Sequence, residues 1–293
     1  MPKKKKGNAA KRDKGNGPQE EWPKISILTP LYNRNKWLPL MICNLEHFDY
    51  PKHQIEWCIL DSKDGDEDVK LLQNQKIIDL LQKRLGKIKL NYEYVPKKMT
   101  IAEKRTYLAK KMMSHKWFAN LDSDDIYFPQ YLKYSIQNLR VAKKGLSSSN
   151  QMLFLFPHYD YKICAIQCQA VRQCHEACMV GTKHYLRSMN YFDKKAEKGE
   201  GASVIDGNEN GVLNLDIQHL MICVCHNNNT CSKEQFKETN IQDAKLAGHH
   251  VDVVRAVMAT EVESGFKDNA PHKVQSTTNQ TDAAVSSSEP SVK

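Results

Sequence analysis

The chain lacks a membrane segment. No stretch approaches the ~18 consecutive apolar residues of a span, and the N-terminus has no hydrophobic region of the signal-peptide kind. A soluble, intracellular protein is therefore expected. Also missing are the GxGxxG and P-loop glycine patterns, so any phosphate-bearing ligand must be held by something other than a glycine-rich cradle. No internal repeat is present, which argues against solenoid and propeller arrays. Nine cysteines occur, but without the CxxC pairs of common zinc sites, and in an intracellular chain they are expected to be reduced thiols.

The net charge of +9 resembles that of a nucleic-acid-binding protein until it is located. Residues 1–18 carry seven Lys/Arg against one Asp, and the other 275 residues hold only +3. The segment MPKKKKGNAAKRDKGNG has almost nothing to bury, so residues 1–23 read as a disordered basic arm. A nuclear address and a tether to anionic surfaces are alternatives for the arm, and nucleic acid is not an expected partner of the folded part. Residues 266–293 are polar and rich in Ser and Thr, and read as a second disordered end. Between them, 24–265 has the length and apolar content of one domain.

Within that span strands alternate with helices. ISILTPLY (Ile25 to Tyr32), IEWCILD (Ile55 to Asp61), IKLNYEYV (Ile88 to Val95) and WFANL (Trp117 to Leu121) have strand character. WLPLMICNLEHF, VKLLQNQKIIDLLQKRLG and TIAEKRTYLAKKMM have helical spacing, the last opened by a capping box of Thr100 and Glu103. Such alternation predicts an α/β fold with a mainly parallel sheet and right-handed crossovers. After Gly145 the pattern loosens. SSSN reads as a loop, MLFLF and ICAIQC as strands, Val212 to Cys225 as one apolar stretch, and Gln242 to Glu263 as a helix packing on a sheet.

Three carboxylates, Asp122, Asp124 and Asp125, directly follow the fourth strand, and Pro129 precedes the next helix. Acids crowded at the carboxyl end of a strand repel one another unless a hard divalent ion neutralises them, and such an ion usually also holds substrate phosphates. The same residues would serve in an Asp-rich surface turn capping the helix.

TPLYNR, IEWCILD, AEKRTYLA and LDSDD, each at or just after one of the four strands and in that order, resemble the inverting glycosyltransferases of family 2, which have the GT-A fold, a single Rossmann-like domain. The short soluble members of large DNA viruses are the most similar in look, sharing an ending like HNNNT. The resemblance spans roughly Lys24 to Lys237 and implies transfer of a sugar from a nucleoside diphosphate sugar to an acceptor hydroxyl of a glycan or protein, with Mn²⁺ or Mg²⁺ as cofactor.

The resemblance also implies roles. Asp124 is the metal ligand, and Asp122 reaches the ribose or the metal shell. Thr29, Pro30, Tyr32 and Asn33 cradle the base, and Asp61 accepts from it, although DSKD stands where the family has a pair of acids before Gly-Ser. Arg105 is the cation near the nucleotide, or else a solvated helix arginine. His226 is a metal ligand, a phosphate donor or a loop histidine. The base that deprotonates the acceptor is expected in KAEKGEGASVI, at Glu200 first and Glu197 second. There Gly199 and Gly201 would leave the Glu200 carboxylate exposed. A charged mobile loop is the alternative for this segment.

Other readings remain open. Cys164, Cys168, Cys174 and Cys178, with His175 among them, invite a zinc site, although buried thiols fit their strand positions better. Trp37, Trp57, Phe118 and Tyr131 read as core. A GT-A-like protein without catalysis, binding nucleic acid or a partner through its basic arm, is one alternative, and an enzyme attacking phosphorus is another.

Overall fold

The computed structural model describes residues 21–62, 75–193, 195–196, 199–229, 232–242 and 246–264. Most of the basic arm, the tail, Glu197 and the acidic turn after Ser62 lie outside the described residues. The strands are β1 (Ile25–Leu31), β2 (Ile55–Ser62), β3 (Lys89–Val95), β4 (Trp117–Asn120), β5 (Ile126–Tyr127) and β6 (Leu146–Ser148). They continue with β7 (Gln151–Phe156), β8 (Lys162–Gln167), β9 (Val180–Thr182), β10 (Val212–Asn214), β11 (Met221–Val224) and β12 (Ile241–Gln242). The α-helices are α1 (Leu38–His47), α2 (Gln75–Leu85), α3 (Ile101–Tyr107), α4 (Tyr131–Ala142), α5 (Lys183–Ser188) and α6 (Gly248–Ser264).

The central sheet has the order β10-β6-β9-β4-β1-β2-β3. Its pairs are parallel except where β9 runs antiparallel between β6 and β4. A smaller sheet has the order β12-β8-β7-β11-β5. The fold is thus α/β with a mainly parallel central sheet, as the alternation predicts.

Period-2 alternation divides the core. On one face of the sheet Ile25 and Ile27 of β1, Trp57 and Ile59 of β2, and Ala119 of β4 pack with α1 and α4. On the other, Leu28, Cys58, Leu60 and Phe118 pack with Ala102 of α3 and Leu186 of α5. β1 and β2 are buried on both faces, which is why they read as near-continuous apolar runs. The capping box of α3 is present: Thr100 Oγ1 accepts from Glu103 N (3.1 Å), and Glu103 accepts from Thr100 N (2.8 Å). Trp37, Trp57, Phe118 and Tyr131 are all core. No helix among the described residues is long and apolar enough to cross a membrane.

Three expectations change. SSSN is a loop only in its second half, because Ser147 and Ser148 belong to the buried strand β6 while Ser149 and Asn150 link it to β7. The Ser147 and Ser148 hydroxyls donate to Val180 O (3.2 Å) and His175 O (2.7 Å), so burial leaves neither hydroxyl unmet. The stretch Val212 to Cys225 is two strands in two sheets, split by a turn in which Asp216 accepts from Gln218 N (3.0 Å). The last helix starts at Gly248, after β12, and packs against α1.

Candidate functional site

β4, β1, β2 and β3 run the same way, so their carboxyl ends share one edge, the usual ligand edge of an open α/β sheet. Leu31 is level with Asp61 there, and Leu121 N donates to Leu28 O (3.0 Å), which carries Asp122 beside them. The acid turn is pinned from below. Asp122 N donates to the buried Tyr127 hydroxyl (2.7 Å), and Asn44 of α1 donates to Asp125 O (2.9 Å) while accepting from Tyr127 N (3.0 Å).

The three acids have different partners. Arg105 Nη2 donates to both oxygens of Asp122, at 2.8 and 3.0 Å, and Arg105 Nε donates to Glu200 Oε1 at 2.8 Å. Arg105 is only 1% exposed, and its Nη1 has no hydrogen-bond partner among the described residues. Asp124 Oδ2 lies 2.9 Å from His226 Nε2 and 3.3 Å from Arg34 Nε. His226 Nδ1 accepts from Asn228 N (3.2 Å), so the proton is on Nε2 and is donated to Asp124. Burial opposes the Asp124 charge, but the His226 hydrogen bond and Arg34 pull this carboxyl down to about 2. Burial outweighs Asp124 at His226 and lowers its pKa, so the ring is neutral. Asp125 is pushed well up by burial and by the neighbouring Asp124 charge, and accepts from Val224 N (3.1 Å), tying the turn to β11.

At the other end of the edge, Asp61 is buried and accepts from the Tyr92 hydroxyl (3.1 Å). Lys104 donates to Leu31 O (2.8 Å), and its Nζ lies 5.1 Å from the centre of the Tyr32 ring. Burial lowers the Lys104 pKa to about 8 against the pull of Asp61. Tyr32 is half-buried, and Asn33 is exposed with a positive φ of 51°. Pro30 is buried within β1. The side chain of Thr29 is fully buried, and its hydroxyl accepts from Trp57 Nε1 (2.9 Å) in the core.

Glu200 departs most from expectation. It opens a buried 3-10 turn, Glu200–Val204, and is 1% exposed, so its carboxylate faces Arg105 instead of solvent. Burial raises its pKa against the opposing effect of Arg105. The flanking glycines serve other ends: Gly199 has a φ of +64°, and a Cβ on Gly201 would stand 2.9 Å from Met179 Cε and 3.0 Å from Glu176 Cβ. Glu197 lies outside the described residues. The proposed cysteine cluster does not assemble: among the described residues, neither Cys164, Cys168, Cys174 nor Cys178 joins a group of three metal-ligand side chains. Cys164 donates to Lys237 O (3.0 Å) and Cys178 to His175 O (3.2 Å), as packed thiols do.

Arg34, Lys104 and Glu176 were not singled out from the sequence. Arg34 ends the TPLYNR motif, but nothing in the spacing joins it to Asp124. Glu176 belongs to a short turn whose carbonyl accepts from Asn120 Nδ2 (2.7 Å).

The donor set suits a hard divalent ion. Asp124 is ionised and 16% exposed, and one of its oxygens already faces the Arg34 cation and the N–H of the neutral His226 ring. Asp122 spends both oxygens on Arg105, which leaves it better placed for a ribose hydroxyl or a metal-bound water than for the ion itself.

No family model matches the chain, and no curated protein matches it in sequence. Solved structures do match. The crystal structure of S. aureus TarS 1-349 is 14% identical with a TM-score of 0.51, covering 69% of this chain. This chain spans 60% of that one. The same protein in complex with UDP-GlcNAc is 13% identical, TM-score 0.51, over 84% of this chain and 68% of that one. The mannosyltransferase PcManGT from Pyrobaculum calidifontis, in complex with GDP-Man and Mn²⁺, is 12% identical with a TM-score of 0.52, over 85% and 80% of the two chains. The fold is that of the GT-A glycosyltransferases.

Proposed function

We propose that this chain is a metal-dependent glycosyltransferase that moves a sugar from a nucleoside diphosphate sugar to an acceptor hydroxyl of a glycan or protein, with inversion. The observation that carries this reading is the pairing of Asp124, kept ionised by His226 and Arg34, with Asp122, kept in place by Arg105, at the carboxyl end of β4. Membership of family 2 is part of the proposal and rests on the four motifs in register. TarS bound to UDP-GlcNAc and a mannosyltransferase bound to GDP-Man and Mn²⁺ have the same fold, which favours this class of donor.

Asp124 would hold Mn²⁺ or Mg²⁺, with His226 beside it and Asp122 in the outer shell. A bound divalent ion would supply Lewis-acid stabilisation of charge on the departing diphosphate. Arg34, which lies on Asp124, would turn to the diphosphate oxygens, to which its fork of donors is matched. Tyr32, flanked by Lys104, would stack with the base, and Asp61 would accept from it. Thr29 and Pro30 would shape the pocket through the backbone, with Asn33 at its rim.

Glu200 is the proposed base that takes the acceptor proton. Burial makes it more basic than an exposed glutamate, and Arg105 ties it to the same guanidinium as Asp122. Because it is closed off here, the turn Glu200–Val204 must open for an acceptor to reach it. Thermal denaturation with a panel of nucleoside diphosphate sugars, with and without Mn²⁺, tests the reading: a cognate donor raises the melting temperature only with the metal.

A further inference from the structure

A second group of ligand side chains lies between the end of α1 and the start of α6. Cys43 and His47, four residues apart on α1, share one face of the helix. His249 and His250 are the second and third residues of α6. The rings of His47 and His249 stack with centroids 3.7 Å apart and planes 9° apart, and the His250 ring lies 4.3 Å from that of His249. A ligand atom from each of Cys43, His47 and His249 lies within 4.8 Å of the others.

Two further facts point to a ligand. His47 Nδ1 lies 2.8 Å from Cys43 O, which can only accept, so Nδ1 carries the proton and the lone pair is on Nε2. This backbone contact is the kind that orients a metal-bound histidine. In addition, His249 Nε2 and His250 Nε2 are both buried without a hydrogen-bond partner among the described residues, and such orphaned groups are costly.

We propose that Cys43, His47 and His249 bind a zinc-class transition-metal ion that ties α6 to α1, with the fourth position left to water. Sulfur and imidazole donors favour such an ion over Mg²⁺ or Mn²⁺, which the oxygen donors at Asp124 favour. Metal–ligand bonds of roughly 2.0–2.3 Å place tetrahedral donors about 3.3–3.8 Å apart, so the cluster closes by about 1 Å on binding. His47, the exposed member of the three, would supply that movement.

The test uses the full-length chain stripped of metal and titrated with Co²⁺, then Zn²⁺. Co²⁺ is expected to give tetrahedral d–d bands with a thiolate-to-cobalt charge-transfer band, bleached by Zn²⁺ and unchanged in Asp124→Asn. Cys43→Ser should lose the charge-transfer band. Zn²⁺ should raise the melting temperature of the wild type and not that of His47→Ala, whose exposed substitution keeps the fold even if Cys43→Ser does not. Absence of tetrahedral bands in the wild type, or bands and zinc stabilisation that persist in His47→Ala, would overturn the site.

Discussion

Arg105 holds Asp122 by both carboxylate oxygens, 2.8 and 3.0 Å from a single guanidinium nitrogen. The same side chain holds Glu200 through Nε, so one buried cation spans the acid turn after β4 and the turn that carries the proposed base. The proposed donor side and the proposed base are therefore joined through one side chain, and substitutions along this line should separate binding from chemistry.

Glu200→Gln keeps the shape and a hydrogen-bond acceptor for Arg105 but removes the proton-accepting carboxylate. Donor affinity in the presence of Mn²⁺ should stay near wild type while turnover falls by roughly 10²–10⁴-fold, the usual contribution of a general base. Calorimetric binding and initial rates measured on the same preparations check this. A near-normal rate with weakened donor binding would make Glu200 a positioning residue acting through Arg105.

Arg105→Leu removes the cation and leaves the buried Glu200 without the guanidinium that it faces. Breaking a buried pair in this way costs about 3–5 kcal/mol, so the midpoint of urea unfolding should fall well below that of Glu200→Gln. Equal midpoints would mean that the pair contributes nothing to the fold.

Gly199→Ala tests the turn itself. Nothing lies within 4 Å of the added Cβ, so the cost comes from the backbone alone, at a φ of +64°. A loss of roughly 1–2 kcal/mol is expected, and Gly199→Asn, which tolerates this conformation better, should lose less. If both variants unfold at the wild-type denaturant concentration, the left-handed backbone is not required there.

Acid sensitivity has a definite window. Glu56 is buried and accepts from Ser114 Oγ (2.7 Å), Ser26 Oγ (2.8 Å), Lys89 Nζ (3.0 Å) and Ser114 N (3.1 Å). Burial opposes the charge, yet these bonds, Ser114 foremost, lower its carboxyl from 4.5 to about 2. Asp124 is lowered likewise, from 3.8 to about 2. Between those values the unfolded chain binds more protons than the folded one, so these groups stabilise fully above about pH 4.5 and the gain is lost as pH falls towards 2. Each group contributes a slope of at most about 1.4 kcal/mol per pH unit. Glu56→Gln should flatten the fall of unfolding free energy below pH 4.5, and an unchanged slope would contradict the assignment.

Much of the fold was legible because local chemistry and tertiary structure agree. β1 and β2 are apolar along their length since both faces are covered, and Thr100 with Glu103 closes its box within four residues. β6 was not legible, because Ser147 and Ser148 tolerate burial only through acceptors on residues some thirty positions away. The acids after β4 stood out in the sequence, but what they touch did not. Arg34 reaches Asp124 from the loop after β1, and Glu200 reaches Arg105 across 95 residues, contacts that only the closed sheet edge creates.

The most direct test measures binding of a cognate nucleoside diphosphate sugar by calorimetry, with and without Mn²⁺, in the wild type and in Asp124→Asn. Wild-type binding should require the metal, and Asp124→Asn should lose metal-dependent binding and sugar transfer while melting near the wild-type temperature. A folded Asp124→Asn that binds donor with Mn²⁺ and transfers sugar as well as the wild type would contradict a metal-dependent transferase centred on Asp124.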